Sequence, residues 1–247
     1  MQVEAKTPTD LKKLKELKTE LTRFMMSYKF GLDELNTKIN ILQQEFQYIH
    51  DYNPIEHVKS RIKTPESILK KIHRKGFKLS LSSIKENIQD IAGIRIICSF
   101  VSDIYKLSEM LQGQRDVKVL ACKDYIKNPK PNGYQSLHLI LQVPVFMSDR
   151  MEEVCVEVQI RTIGMDFWAS LEHKIYYKYN KKVPEKLLQD LKEAAETVNQ
   201  LDHKMERINK EVTNYKSSDI TSNELNEIYL NNENFYFPDD FYHLVMD

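Results

Sequence analysis

Apolar positions recur every seven residues from Leu14 through Leu21, Tyr28, Leu35 and Leu42 to Ile49, the spacing of one stripe along a helix spanning roughly residues 11–49. The companion positions change at Gly31, being Leu17 and Phe24 before it and Leu32, Ile39 and Phe46 after it. A break or kink is expected there. A second stripe, Leu187, Leu191, Ala194, Val198, Leu201, Met205, Ile208 and Val212, alternates steps of four and three after Pro184. Such regularity faces another helix, either the N-terminal one or one from a second subunit.

Between these helices the period falls to two. Leu137, Leu139 and Leu141 alternate with Ser136, His138 and Gln142, and Val154, Val156, Val158 and Ile160 with Cys155, Glu157, Gln159 and Arg161. Each pattern predicts a strand with one apolar and one polar face. Asp90–Cys98 is apolar enough for a central strand but opens with a carboxylate and contains Arg95; a buried charge of either sign needs a partner or a ligand. Thr64 before Pro65 predicts a capped helix carrying Ser67, Lys71 and Arg74, whose N-terminus is a favourable place for phosphate.

Chemistry concentrates between Lys127 and Leu139. Lys127 and Lys130 bring charge, Pro129, Pro131, Asn132 and Gly133 force a turn, and Tyr134 adds an aromatic face, a combination suited to a flat, charged ligand. From Lys59 to Lys78 eight cations meet one acid, Glu66. A solvated helix would interleave acids with them, so the run points to polyphosphate or nucleic acid.

Composition narrows the classes. The chain has 247 residues, 41% of them hydrophobic, enough for one main domain with helical extensions. No leader peptide or membrane span is apparent, which predicts a cytoplasmic protein without membrane contact. Cys98, Cys122 and Cys155 are widely spaced, and buried thiols are expected rather than a disulfide framework or zinc site. Net charge is zero, yet seven acids and no Lys or Arg follow Lys216, leaving residues 1–216 at +7.

Two strand carboxylates, Asp90 and Glu157, joined to that cationic run and the Lys/Tyr/His turn, form equipment for phosphoryl transfer. Magnesium would be held by the acids and substrate phosphates, with Lys and Arg offsetting the remaining charge. The Walker, dinucleotide, zincin and serine-hydrolase signatures are absent, so the site is nucleotidyltransferase-like.

Taken in order, Arg61-Ile-Lys63, Lys71, Gln89-Asp90-Ile-Ala-Gly-Ile-Arg95, Lys123-Asp124-Tyr125-Ile126, Lys130-Pro-Asn132-Gly133-Tyr134-Gln-Ser136-Leu-His138, Val156-Glu157-Val-Gln159-Ile-Arg161-Thr162 and Trp168-Ala-Ser-Leu-Glu172-His173 resemble the synthetase domain of the RelA/SpoT family. The resemblance runs from about Asn53 to Val212, and the chain resembles the small, single-domain alarmone synthetases. It implies a (p)ppGpp synthetase that moves the β,γ-pyrophosphate of ATP to the 3′-hydroxyl of GDP or GTP. In that reading Arg61, Lys63, Lys71 and Arg95 bind ATP. Asp90 binds Mg2+, and Glu157 joins the metal and activates the acceptor hydroxyl. Tyr134 stacks on guanine, and Lys130, Asn132, His138 and Gln159 complete the GDP/GTP side. A ring-like homotetramer built by terminal helices is implied as well.

The chain departs from family patterns at two places. Ala121 replaces a commonly basic residue two before Lys123, and His57 and Lys59 stand where product-activated small synthetases carry an aromatic and a small hydroxyl residue. His50-Asp51 resembles a metal-hydrolase dipeptide, but no histidine precedes it, so alarmone hydrolysis is not expected.

The expected fold is α+β, a nucleotidyltransferase-like mixed sheet of about five strands flanked by helices, with N- and C-terminal helical extensions. Residues 1–52 form the N-terminal extension, 53–180 the synthetase domain, 181–212 an oligomerisation helix, and 213–247 a linker and acidic tail whose aromatics dock on a basic body. Two rivals stay open. One is transfer onto an RNA 3′ end; the other is a binding module for guanine nucleotide or single-stranded RNA, against which the retention of both Asp90 and Glu157 argues.

Overall fold

The computed structural model describes residues 8–50, 52–178, 184–216, 227–230 and 233–236. Five strands form one mixed sheet: β1 (Ile55–Ile62), β2 (Ala92–Cys98), β3 (Lys118–Asp124), β4 (Leu137–Phe146) and β5 (Met151–Thr162), in the order β1-β2-β5-β4-β3. Only the central pair, β2 and β5, is parallel. Period-two alternation sends Ile94, Ile96, Leu139, Leu141, Val156 and Val158 to a dry face. The intervening positions of the same strands carry the polar residues of the other face.

Helices cover the dry face. The long N-terminal helix α1 (Pro8–Ile49) lays Tyr28, Leu32, Leu35 and Ile39 on it, and α4 (Val101–Gln112) adds Ile104, Leu107 and Leu111. Contrary to the expected break, α1 runs through Gly31 unbroken. The glycine marks a close approach: a Cβ there would lie 2.7 Å from Val154 Cγ1 on β5. The stripe changes there because the helix leaves the sheet; Leu11, Leu14, Leu17 and Leu21 are all exposed. Gly31→Ala should therefore destabilise the fold by about 1–3 kcal/mol through overpacking, despite alanine's higher helix propensity. Denaturant melts test this, and Val154→Ala should recover much of the loss.

Between β1 and β2 stand α2 (Pro65–Lys75) and α3 (Leu81–Asn87). As expected, Thr64 caps α2, its hydroxyl accepting from Ser67 N at 3.3 Å with Pro65 in the first turn. Asp90 does not open β2 but sits in the turn before it, because the fully buried Ile91 continues the apolar run ahead of the strand.

After β5 the chain passes directly into α5 (Ile163–Lys178), followed by α6 (Glu185–Lys216). The α6 helix packs on α5 through Leu191, Ala195 and Val198 and also touches α4, while Leu201, Met205, Ile208 and Val212 stay exposed. The regular stripe thus lies mostly beside the packed face, and α6 continues through residues 213–216, four residues into the expected linker. In the tail, β6 (Glu227–Leu230) and β7 (Glu233–Tyr236) pair antiparallel; Phe237, Phe241 and Tyr242, expected to dock, lie outside the described residues, as does Asp51. Of the three free thiols only Cys98 is buried. Cys122 is exposed on the edge strand β3, and Cys155 is half-buried on the polar side of β5. Among the described residues no helix is long and apolar enough to cross a membrane.

Candidate functional site

Strand register sorts the polar face into rows. Lys59, Arg95, Gln159, His138 and Lys123 stand side by side across all five strands, and the next row runs Arg61, Gly93, Glu157, Ile140 and Ala121. Neighbours in such a row project to the same side. Gly93, without a side chain, forms the floor of an open cleft of about 240 Å3 lined by Lys59, Arg61, Arg95, Glu157 and Gln159.

One half of the cleft is cationic. Arg95 is pulled below the ordinary arginine range by burial and by Arg161, with Arg61 adding to the repulsion and Asp166 opposing it. Arg95 and Arg161 share the one carboxylate of Asp166, and with Arg61 beside Arg95 this excess of guanidinium is a receptor for a polyanion. Beside them, Lys63 and Lys71 place their ammonium groups 2.6 and 2.7 Å from Asp90 Oδ2. Burial alone would raise the Asp90 pKa, but these two lysines bring it below the usual aspartate range. Asp90 Oδ1 is buried and has no hydrogen-bond partner. A buried carboxylate oxygen left open in a field of cations fits a hard divalent ion, which takes oxygen ligands. Glu157 is near enough for Asp90 to act on it electrostatically. The donor set therefore suits one magnesium ion held by two carboxylates and by phosphate oxygens; no group of three or more His, Cys, Asp or Glu forms a cage among the described residues.

The other half is aromatic. Gly133, at φ +88°, turns the 127–136 loop, and its missing Cβ would meet Ala195 Cβ at 2.6 Å and Lys192 Cα at 3.3 Å. The loop thus leans on the backbone of α6. Asn132 receives Tyr134 N at 3.2 Å and donates to Glu172 Oε1 at 3.1 Å, fixing the turn to α5. Trp168 on α5 packs against α6 and donates to Leu191 O at 2.9 Å. Lys130 Nζ lies 4.4 Å from the centroid of the Tyr134 ring and 4.6 Å from that of Tyr125, a cation–π arrangement.

Glu157 joins the halves. Its side chain is largely buried, which raises its pKa, but His138 and Gln159 outweigh burial and hold it below the ordinary glutamate range. Gln159 Nε2 donates to Glu157 Oε2 at 2.9 Å, and His138 Nδ1 faces Oε1 at 3.4 Å. A carboxylate so placed is ionised at neutral pH and ready to hold a cation or receive a proton.

Every site residue expected from sequence falls in this region. Arg61, Arg95, Glu157 and Gln159 line the cleft; Lys63, Lys71 and Asp90 adjoin it; Tyr134 and His138 close it; Lys130 and Asn132 lie on the loop. Sequence reasoning missed three participants: Asp166, which bridges Arg95 and Arg161 at 3.1 Å each, Tyr125, edge-on to His138, and the linking part played by Arg161. An arginine in an apolar strand followed five residues later by an acid in the next helix was the available signal. His50 stacks near Phe46 at the end of α1, the ring centroids 5.4 Å apart.

Comparison with known proteins gives consistent results. Residues 60–182 match the family model described as the region found in RelA / SpoT proteins. GTP pyrophosphokinase YwaC of Bacillus subtilis is 53% identical over 204 residues, 83% of this chain and 97% of the relative. Small alarmone synthetase 1 of Bacillus subtilis bound to its product pppGpp superposes with a TM-score of 0.73 at 39% identity, covering 79% of this chain and 99% of the other. The same synthetase bound to AMPCPP gives 0.65 at 36% identity, covering 78% and 99%.

Proposed function

The chain belongs to the RelA/SpoT family, and from that premise we infer that it is a GTP pyrophosphokinase, transferring the β,γ-pyrophosphate of ATP to the 3′-hydroxyl of GDP or GTP and releasing AMP. The observation that carries this reading is the position of Glu157, between an arginine-lined cleft on one side and the Tyr134/His138 pair on the other. Relatives bound to pppGpp and to AMPCPP support a guanine nucleotide and an adenine nucleotide as the two occupants.

In this mechanism Arg61, Lys63, Lys71 and Arg95 hold the ATP phosphates and offset the charge that grows on the leaving AMP. Tyr134 stacks on guanine, with Lys130, Asn132, His138 and Gln159 around the acceptor. Glu157 receives the proton of the 3′-hydroxyl, an otherwise poor nucleophile. Asp90 and Glu157 would hold magnesium, which supplies positive charge to the phosphoryl oxygens. Synthesis without alarmone hydrolysis, in the cytoplasm, completes the reading. Assembly is proposed to be a homotetramer, because both terminal helices carry exposed apolar stripes, Leu11 to Leu21 and Leu201 to Val212.

The test is incubation with γ-labelled ATP, magnesium and either GDP or GTP. Labelled pyrophosphorylated guanine nucleotide in equal amount to AMP is expected; label on tRNA but not on free nucleotide would replace the reading with RNA 3′-end transfer. Tyr134→Ala should raise the acceptor KM by about 5- to 150-fold, the equivalent of ~1–3 kcal/mol of base stacking, while leaving the KM for ATP nearly unchanged.

A further inference from the structure

Arg161 is 4% exposed and has no place in the mechanism above. Its terminal nitrogen Nη2 donates two hydrogen bonds, to Tyr134 Oη at 2.6 Å and to Gln159 Oε1 at 2.9 Å. Each acceptor leads onward to Glu157. Along one arm, Tyr134 Oη lies 2.8 Å from His138 Nε2, and His138 Nδ1 faces Glu157 Oε1. Along the other, Gln159 Nε2 donates to Glu157 Oε2. The two arms close a ring that starts at one guanidinium nitrogen and ends on the two oxygens of one carboxylate.

Direction follows from chemistry. A guanidinium only donates, so Tyr134 Oη and Gln159 Oε1 must accept from it. At the other end the ionised Glu157 carboxylate only accepts, so the His138 Nδ1 that faces it is the donor. In the neutral imidazole Nε2 is then the acceptor, and the single proton of Tyr134 goes to it. Likewise, a Gln159 amide whose oxygen is engaged by Arg161 presents its NH2 to Glu157. A buried donor that never loses its proton at one end and an ionised carboxylate at the other thus orient every hydrogen in the ring. Arg161 is itself fixed by Asp166, whose Oδ1 lies 3.1 Å from Nη1.

We propose that Arg161 is a positioning residue that, through the Tyr134 hydroxyl and His138 on one side and Gln159 on the other, sets the orientation and hydrogen-bonding state of Glu157 for attack by the acceptor hydroxyl. This rests on the pyrophosphotransferase reading and adds a role for the Tyr134 hydroxyl distinct from its ring. The ring serves affinity for guanine; the hydroxyl serves turnover.

Tyr134→Phe separates the two, since it keeps the ring and cuts one arm. It should lower kcat about tenfold or more, as loss of an orienting partner does elsewhere, with the acceptor KM within about twofold of wild type. Arg161→Ala, which cuts both arms, should lose more in kcat and recover part of it on addition of guanidinium ion below denaturing concentrations. A second readout needs no turnover: 15N NMR should find His138 protonated on Nδ1 in the wild type and redistributed toward Nε2 in Tyr134→Phe, with His138→Gln identifying the resonance. Wild-type kcat in Tyr134→Phe, an Arg161→Ala defect confined to KM, or a wild-type His138 protonated on Nε2 would each overturn the proposal. Failure of the wild-type protein to make pyrophosphorylated nucleotide would remove the functional reading, while the NMR result would still decide the ring.

Discussion

Glu157→Gln is expected to reduce turnover by about 10²-fold or more, the usual scale for loss of a general base, with unchanged far-ultraviolet circular dichroism and melting temperature. The substitution keeps size and keeps an oxygen for Gln159 to reach. It removes the charge that faces the cations and the basicity proposed to accept the 3′-hydroxyl proton. Both substrates should still bind, because Arg61, Arg95 and Tyr134 are untouched, and single-turnover assays with bound nucleotide should show the defect in the chemical step. A variant retaining a large fraction of wild-type turnover would remove Glu157 from the role. The pH profile gives an independent check. Because Glu157 is held below the ordinary glutamate range by His138 and Gln159 against the opposing effect of burial, it stays ionised as acidity rises. Its acid limb should fall below that of a free glutamate, so any decline nearer neutrality belongs to another group.

Asp90→Asn is expected to cost about 10²-fold or more in activity at ordinary magnesium concentration, part of it recovered by raising magnesium. The unsatisfied Oδ1 is the reason to expect a metal effect rather than an ion-pair effect. If Asp90 served only to hold Lys63 and Lys71, neutralising it would free two cations and metal-free ATP would bind more tightly, with activity little changed. If it holds the metal, ATP affinity without magnesium should hold or improve while turnover collapses. Calorimetric titration of ATP with and without magnesium, beside steady-state rates, separates these outcomes.

Much of the sheet was legible because alternation is a local property. Residues 137–142 and 154–161 each show which side chains share a face, and the faces fell where the pattern put them. The Thr64-Pro65 start was legible for the same reason, a cap and its helix lying within four residues. Asp90 was misplaced by two positions because a buried turn is as apolar as the strand it precedes. The α4 helix carries no ordinary start signal: Phe100 holds the cap position, and Asp103 accepts from the Phe100 N–H at 3.2 Å. Gly31 resembles a helix breaker in sequence, whereas its cause is the closeness of β5. In the site, strand periodicity assigned Glu157, Gln159 and Arg161 to one face but could not join them to Tyr134 and His138, which depends on the register between β4 and β5. The exposed leucines of α1 and α6 are equally invisible as such, since a stripe has the same spacing whether or not its own chain covers it.

The contact between Gly133 and α6 bears on how this protein could be recombined with others. With no side chain at Gly133 and only a methyl at Ala195, the 127–136 loop is moulded on the helix backbone itself. A larger residue at either position is the same lesion, because each displaces the other's main chain. Grafting α6 from another protein onto this sheet, or this sheet onto another helix, would carry the shape of that loop with it. Any chimaera must therefore take residues 127–136 and the Lys192–Ala195 turn of the helix from one parent.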